Sequence, residues 1–211
     1  MEDFIFKTIN KNSVAEIIEK KSKFIAHVFY VETPEEANNY IKEMKKKYHD
    51  ARHNVFAYAI ETGDGGVAVK YNDDGEPQGT AGAPILKIVL EKGLSNVLVV
   101  VTRYFGGILL GTGGLVRAYS DSAIKALEQT EYISKIIGYK VKLCIEYDAL
   151  DQLKYYASKS NIKILNIEYL ENIEVTVEIR KEKLEEFTNN SSKKPFKILK
   201  CDILEEKYID I

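Results

Sequence analysis

The spacing of apolar positions changes character along this chain, and the change falls near residue 130. Before it, apolar runs fill both faces of the strands they imply. SKFIAHVFYV (22–31) is β-rich and apolar on both sides, as expected of a strand covered on each face. TPEE follows: Thr33 can cap, Pro34 suits the first helical position, and Glu36 completes a capping box. Ala37, Tyr40, Ile41, Met44 and Tyr48 then mark one helical face. HNVFAYAI (53–60) and GVAVKY (66–71) read as strands, joined by the Gly-Asp-Gly-Gly at 63–66. After the loop NDDGEPQGTAGAP (72–84), ILKIVLEK predicts a short apolar helix ending at Gly93. LSNVLVVVTRYF (94–105) is apolar without a break from Val97 to Val101, the mark of a strand buried on both faces. A glycine cluster comes next, and then a helix with Leu115, Val116, Tyr119, Ser122, Ala123, Ala126 and Leu127 on one side, up to about Glu128.

Beyond residue 130 the pattern alternates strictly. In YKVKLCIEY (139–147), Tyr139, Val141, Leu143, Ile145 and Tyr147 face one way, and Lys140, Lys142, Cys144 and Glu146 the other. That is a half-covered antiparallel strand. Asp148 opens a short helix with Leu150, Leu153 and Ala157 inward. IKILNIEYL and IEVTVEIR form a hairpin across Glu171-Asn172, KEKLEEF is a second short helix, and FKILKCDIL a last strand. The order βαββαβ is the split pattern of ferredoxin-like domains. The expected division is 1–133 and 134–211, in an α+β fold.

Composition narrows the class. Apolar residues make up 45% and charged residues 29%, enough for a real core. Cys144 and Cys201 form no disulfide framework, which fits a reducing cytoplasm. The opening MEDFIFKTINKN carries acids and no long apolar run, so neither a signal peptide nor a membrane span is expected. Charge is balanced in both parts, with 16 basic against 17 acidic residues over 1–130 and 14 against 15 beyond. Nucleic-acid binding driven by total charge is therefore disfavoured. The local patches Lys20, Lys21, Lys23 and Lys42, Lys45, Lys46, Lys47 read first as solvated faces.

Five of the 13 glycines fall within Gly106, Gly107, Gly111, Gly113 and Gly114, between a buried strand and a helix. Such a turn aims unpaired N–H groups at one point, with the helix dipole behind them. Glycine lets a ligand approach the main chain, and anions bind such ends. Arg117, read as lying in the first helical turn, stands against the local field there, which favours an anion arriving to meet it. Arg103, at the end of the buried strand, could reach the same spot. A second helix start, with Thr80 as cap, Gly82 and Pro84, follows the acids Asp73, Asp74 and Glu76. The expected anion-binding set is Thr80, Gly82, Arg103, Gly106, Gly107, Gly111, Gly113, Gly114 and Arg117. Neither a Walker A nor a Rossmann fingerprint is present.

Other chemistry is thinner. HDARH (49–53) imitates a zinc-protease motif, but the helix ends near Tyr48 and His53 opens a strand, so the i, i+4 geometry is lost. His53 with Asn54 can form a polar pair at the strand entrance, and His27 reads as a satisfied core or edge histidine. His53, Asp74 and Glu76 are the candidates for acid–base work. No cofactor and no metal site is expected. In the last third, the polar sheet face offers Lys140, Lys142, Glu174, Thr176, Glu178 and Arg180, with mixed sign and no aromatic, so base stacking of the RRM kind is not expected.

SKFIAHVFYV, ARHNVFAYAI, NDDGEPQGTAGAPIL and above all VVVTRYFGGILLGTGGLVRAYSDSA resemble the YigZ/IMPACT family over nearly the whole chain. The resemblance implies a left-handed βαβ larger domain, similar to a ribosomal protein and to domain IV of elongation factor G. It implies a ferredoxin-like smaller domain, similar to domain V of that factor. The family-like positions are His53, Asn54, Asp74, Gly75, Glu76, Pro77 and the run from Arg103 to Arg117. Eukaryotic relatives regulate translation by competing for an activator of a stress-responsive initiation-factor kinase. The leading expectation is a cytoplasmic, translation-associated, non-enzymatic protein that contacts RNA phosphate, the ribosome or a translation protein through the glycine segment. The alternatives are an enzyme holding a small phosphorylated or carboxylated metabolite between the two helix starts, and a protein-binding module using Lys42, Lys45 and Lys46.

Overall fold

A computed structural model describes residues 5–63, 65–188 and 194–210. Contacts divide the chain into two compact units, one of Phe6–Ser134 and the other of Ile5 with the chain from Lys135 onward. The hairpin position Asp64 lies outside the described residues.

The larger unit contains β1 (Ile5–Ile9), β2 (Ser13–Glu19), β3 (Ser22–Tyr30), α1 (Pro34–Lys47), β4 (His53–Glu61), β5 (Val67–Asn72), α2 (Gly82–Glu91), β6 (Val97–Tyr104) and α3 (Gly111–Leu127). Its sheet runs β2-β3-β6-β4-β5 with every neighbour antiparallel. Since β3 and β4 both oppose β6, they are parallel to each other, and α1 carries the βαβ crossover between them. The unbroken apolar run of β6 has its reason here. Val97, Val99 and Val101 enter the core beneath α2 and α3, while Leu98 and Val100 enter the core beneath α1. All five are fully buried. Each such side chain contributes about 1.5–3 kcal/mol through burial.

α1 starts as its sequence dictates: Thr33 Oγ accepts from Glu36 N at 3.1 Å, and Pro34 occupies the first turn. Glu36 reaches back one residue further than a capping box requires and accepts from Glu32 N at 2.8 Å. Gly93 stops α2 with φ +66°. α3 lies antiparallel along β2. Ser13 Oγ donates to Ala126 O at 2.7 Å, and Lys125 Nζ donates to Glu16 O at 3.0 Å. The start of α3 therefore sits toward the β2–β3 turn at Lys20-Lys21.

β1 and β2 have no counterpart in the sequence reading. In β2 the residues Val14, Glu16 and Ile18 share one face and Ala15 and Ile17 the other, so apolar residues fall on both and the alternation is blurred.

β7 (Tyr132–Ile145) leads into the smaller unit, which continues with a 3-10 turn (Tyr147–Ala149), α4 (Leu150–Lys159), β8 (Lys163–Tyr169), β9 (Ile173–Arg180), α5 (Lys181–Thr188) and β10 (Ile198–Asp210). Four strands of its five-stranded sheet take the order β8-β9-β7-β10, antiparallel throughout, and the fifth, β1, pairs with β7. With one helix in each βαβ half, this is the ferredoxin-like arrangement. Val141, Leu143, Ile145, Val175, Val177 and Leu153 form its core. Among the described residues, no helix is long and apolar enough to cross a membrane.

Candidate functional site

The acid loop after β5 turns inward. Asp74 (φ +45°) and Gly75 (φ +88°) fold it tightly over the start of β4. Asp74 Oδ2 accepts from Asn54 N at 2.7 Å, its Oδ1 from Lys45 Nζ at 2.7 Å, and its carbonyl from His53 Nδ1 at 2.9 Å. Asn54 in turn accepts from Thr102 Oγ at 2.7 Å in a buried contact. The His53–Asn54 pair thus pins the loop to the sheet.

Glu76 is carried into the core. Arg103 Nη1 donates to its Oε1 at 2.6 Å, and the Tyr119 hydroxyl donates to the same oxygen at 2.8 Å. His53 Nε2 stands 3.9 Å from it. The register explains the meeting: His53 lies opposite Arg103 across β4 and β6, and Tyr119 comes from α3. The Arg103 guanidinium packs 5.5 Å from the Phe24 ring centroid and 5.6 Å from that of Phe105. Burial, followed by the Glu76 charge, pushes the Tyr119 phenol far above its ordinary value, so it stays protonated and donates.

This corrects the expectation for Arg103. Only 6% of it is exposed, and its charge is spent on Glu76. It is a structural partner and not an anion contact at the surface. The sequence places Tyr119 only on a helical core face. Its hydroxyl role has no signature in the sequence.

The second helix start is also corrected. Thr80 does not cap α2, because its Oγ donates to Pro77 O at 2.6 Å. Asp73 does the capping: Oδ1 accepts from Ala81 N at 3.1 Å and Gly82 N at 2.8 Å, and Oδ2 accepts from Gly79 N at 2.8 Å. The chain's own carboxylate fills the place expected for a ligand anion, so Thr80 and Gly82 hold no open pocket. A Cβ on Gly82 would stand 3.0 Å from the Asn72 backbone, so this glycine serves close packing. Asp73, Asp74 and Glu76 each have a structural task. No cluster able to hold a metal occurs among the described residues.

The glycine segment behaves differently. Gly106 is a packing glycine: a Cβ there would lie 2.0 Å from the Lys21 carbonyl carbon, and its N–H donates to Ser22 Oγ at 3.2 Å. Beyond it the chain opens. Gly107 and Gly111 take φ +84° and +73°, and Gly111 and Gly113 have nothing within 4 Å of a built Cβ. Leu110 stands at the cap position of α3 and supplies no side-chain hydrogen bond. Gly114 is partly covered, next to Leu110. Arg117 is exposed but sits well past the first turn of a helix that begins at Gly111. The argument from its placement against the helix dipole therefore falls away, since that field fades within the first turn. Lys20 and Lys21 form the β2–β3 turn beneath Gly106, at φ +45° and +66°. Phe105, Ile108 and Leu109 project outward, Leu109 with 83% exposure. The sequence reading missed this projection. An aliphatic trio set among glycines was the signal available for it.

In the smaller unit the open sheet face neutralises itself. Lys142 Nζ lies 2.7 Å from Glu174, Lys207 Nζ 3.0 Å from Glu178 and Lys200 Nζ 2.6 Å from Asp202. Lysines paired in this way offer little to a phosphate backbone.

Fold and site together define a two-domain α+β protein. Its acid loop is consumed internally, and one helix start of the larger domain carries exposed glycines with open space beside them. Residues 20–127 match the Impact N-terminal domain, and residues 143–190 match a domain of unknown function, DUF1949. The chain is 35% identical to the IMPACT family member YvyE of Bacillus subtilis, over 86% of this chain and 82% of that one. It is 34% identical to YigZ of Escherichia coli, over 89% and 91% respectively. A crystal structure of a hypothetical protein shares its fold with a TM-score of 0.66 at 30% identity, covering 94% of this chain and 98% of the other. The chain belongs to the IMPACT family.

Proposed function

We propose that this protein is a cytoplasmic regulator associated with translation, docking on a component of the translation apparatus through the face around Gly107–Gly113. Family membership supports the translational role, because the eukaryotic relatives that the sequence resembles regulate translation. The observation that carries the choice of surface is the contrast between the two helix starts. The start of α2 is closed by Asp73, whereas no side chain among the described residues accepts a hydrogen bond from the first N–H groups of α3. No acidic residue lies anywhere from Arg103 to Ser120. The enzyme reading needed the first of these starts as half of an anion pocket, and that half is occupied by the protein itself.

Co-sedimentation of the purified protein with ribosomes tests the proposal. Association that weakens as salt rises, and that falls when Lys20, Lys21 and Arg117 are all changed to alanine, is the expected result. Association absent at low salt, or unchanged in the triple variant, overturns it.

A further inference from the structure

A concavity of about 440 Å³ opens where β3 runs into α1, lined by Tyr30, Glu32, Glu36, Asn39, Tyr40 and Glu43. Glu36, Asn39, Tyr40 and Glu43 follow the i, i+3, i+4, i+7 spacing of one helical face. Tyr30 ends β3, and Glu32 belongs to the turn that follows it.

The lining holds three carboxylates and no cation. Glu32 Oε1 accepts from the Tyr30 hydroxyl at 2.6 Å, and Glu36 Oε2 accepts from Glu32 N at 2.8 Å. These donors fix two of the carboxylates and leave a second oxygen on each to receive a ligand. Glu43 has neither a hydrogen bond nor an ion pair among the described residues. Lys47, one turn further along α1, holds its ammonium 5.0 Å from the Tyr48 ring centroid instead. Carboxylates gathered in a concavity without a counter-charge focus a negative field there. The two tyrosines are held in place beside them. Tyr30 is tied through its hydroxyl, and Tyr40 lays one ring face on Phe29, with centroids 4.4 Å apart and planes 15° apart.

We propose that this concavity receives an arginine side chain presented by a basic polypeptide segment. A guanidinium is planar, stacks on aromatic faces and donates to several carboxylate oxygens at once, whereas an ammonium answers the charge without the stacking. The sign of the field turns away nucleic acid and other phosphate-bearing ligands. The carboxylates do not gather closely enough to hold a metal ion. Glu32, Glu36, Asn39 and Glu43 are all exposed, so the site lies open along a helix, where a side chain carried on a second polypeptide can reach it. It is also separate from the docking face proposed above. Tyr30 pairs with Val97 at the start of β6, and the glycine segment follows Tyr104 at its end.

The test uses the full chain without ribosomes. A dye-labelled arginine-glycine repeat peptide is titrated by fluorescence anisotropy at low ionic strength, beside a lysine-glycine peptide of equal length. The arginine peptide should bind more tightly by about threefold or more. Its Kd should weaken by about tenfold or more in Glu43→Lys and in the double variant Glu36→Gln with Glu43→Gln. Asp121→Asn with Glu128→Gln, an equal change of charge on exposed positions of α3 and its cap, should keep the affinity. Tyr40→Leu should shrink the preference for arginine over lysine. Glu43 is exposed and unpaired, so its substitution leaves folding intact, and an unchanged melting temperature verifies this. No binding of the arginine peptide, equal affinity for the lysine peptide, indifference to Glu43→Lys, equal weakening by the α3 variant, or displacement of the peptide by an equal concentration of spermidine would each overturn the proposal. Ribosome association lost while peptide binding persists would bear only on the translational reading.

Discussion

Removing the guanidinium of Arg103 should cost this fold more than any change at its surface. Arg103 and Glu76 have side-chain exposures of 7% and 4% and meet at 2.6 Å. In Arg103→Met, Glu76 keeps only the Tyr119 hydroxyl at 2.8 Å and the more distant His53 at 3.9 Å. Breaking a buried pair by deleting one partner costs about 3–5 kcal/mol, chiefly because the remaining charge stays desolvated. Adding Glu76→Gln removes that charge while leaving an amide oxygen for Tyr119. The double variant should recover about 2 kcal/mol of the loss, giving a clear coupling energy in the cycle. The proper readout is hydrogen exchange at the amides of Val99–Val101, which reports the larger unit specifically. At about 1.4 kcal/mol per decade, the single variant should exchange faster there by about two to three and a half decades. A single-variant loss under about 1 kcal/mol, or a double variant no more stable than the single, would refute the view that Glu76 is a buried anion needing a cation.

Other expectations follow from individual contacts. Asp73→Ala should cost about 1–2 kcal/mol in urea denaturation, since it uncaps α2, and Asp73→Asn should cost less. Gly106→Ala should destabilise by about 1–3 kcal/mol through its collision with the Lys21 backbone, whereas Gly113→Ala should stabilise by about 0.5–1 kcal/mol in a melting experiment, since it stands in open helix. His27 accounts for part of the acid sensitivity. Burial and then the charge of Lys47 lower its pKa to about 4, below the ordinary 6.5. Its contribution is complete above pH 6.5 and is lost as pH falls toward 4, by up to about 3 kcal/mol. The pH dependence of stability between 4 and 6.5 should flatten in His27→Gln, and an unaltered slope would show that another group is responsible.

The parts of this fold that were legible from sequence are those fixed by local pattern. The Val97–Val101 run, the Thr33-Pro34 start of α1 and the alternation through β9 each carry a periodicity that survives into the structure. β2 was illegible because its apolar residues fall on both faces. At the site, the glycine cluster could be located, but the split within it could not. Gly106 is bare because the Lys21 backbone crosses it, and Gly113 because nothing covers it, and only the long-range pairing of β3 with β6 separates the two cases. The fates of Arg103 and Asp73 depended on where the acid loop folds. A carboxylate free to meet a ligand and one already spent on an internal donor look the same in a sequence.

The β2–β3 turn places two successive lysines in left-handed backbone, a conformation that L side chains resist. Gly106 packed on Lys21 from above helps to hold that shape. A partner arriving at Lys20 and Lys21 therefore meets main chain that is already set, and gives up little of its binding energy to immobilise it. Loosening that clasp, as Gly106→Ala would, should reach binding mainly through faster dissociation.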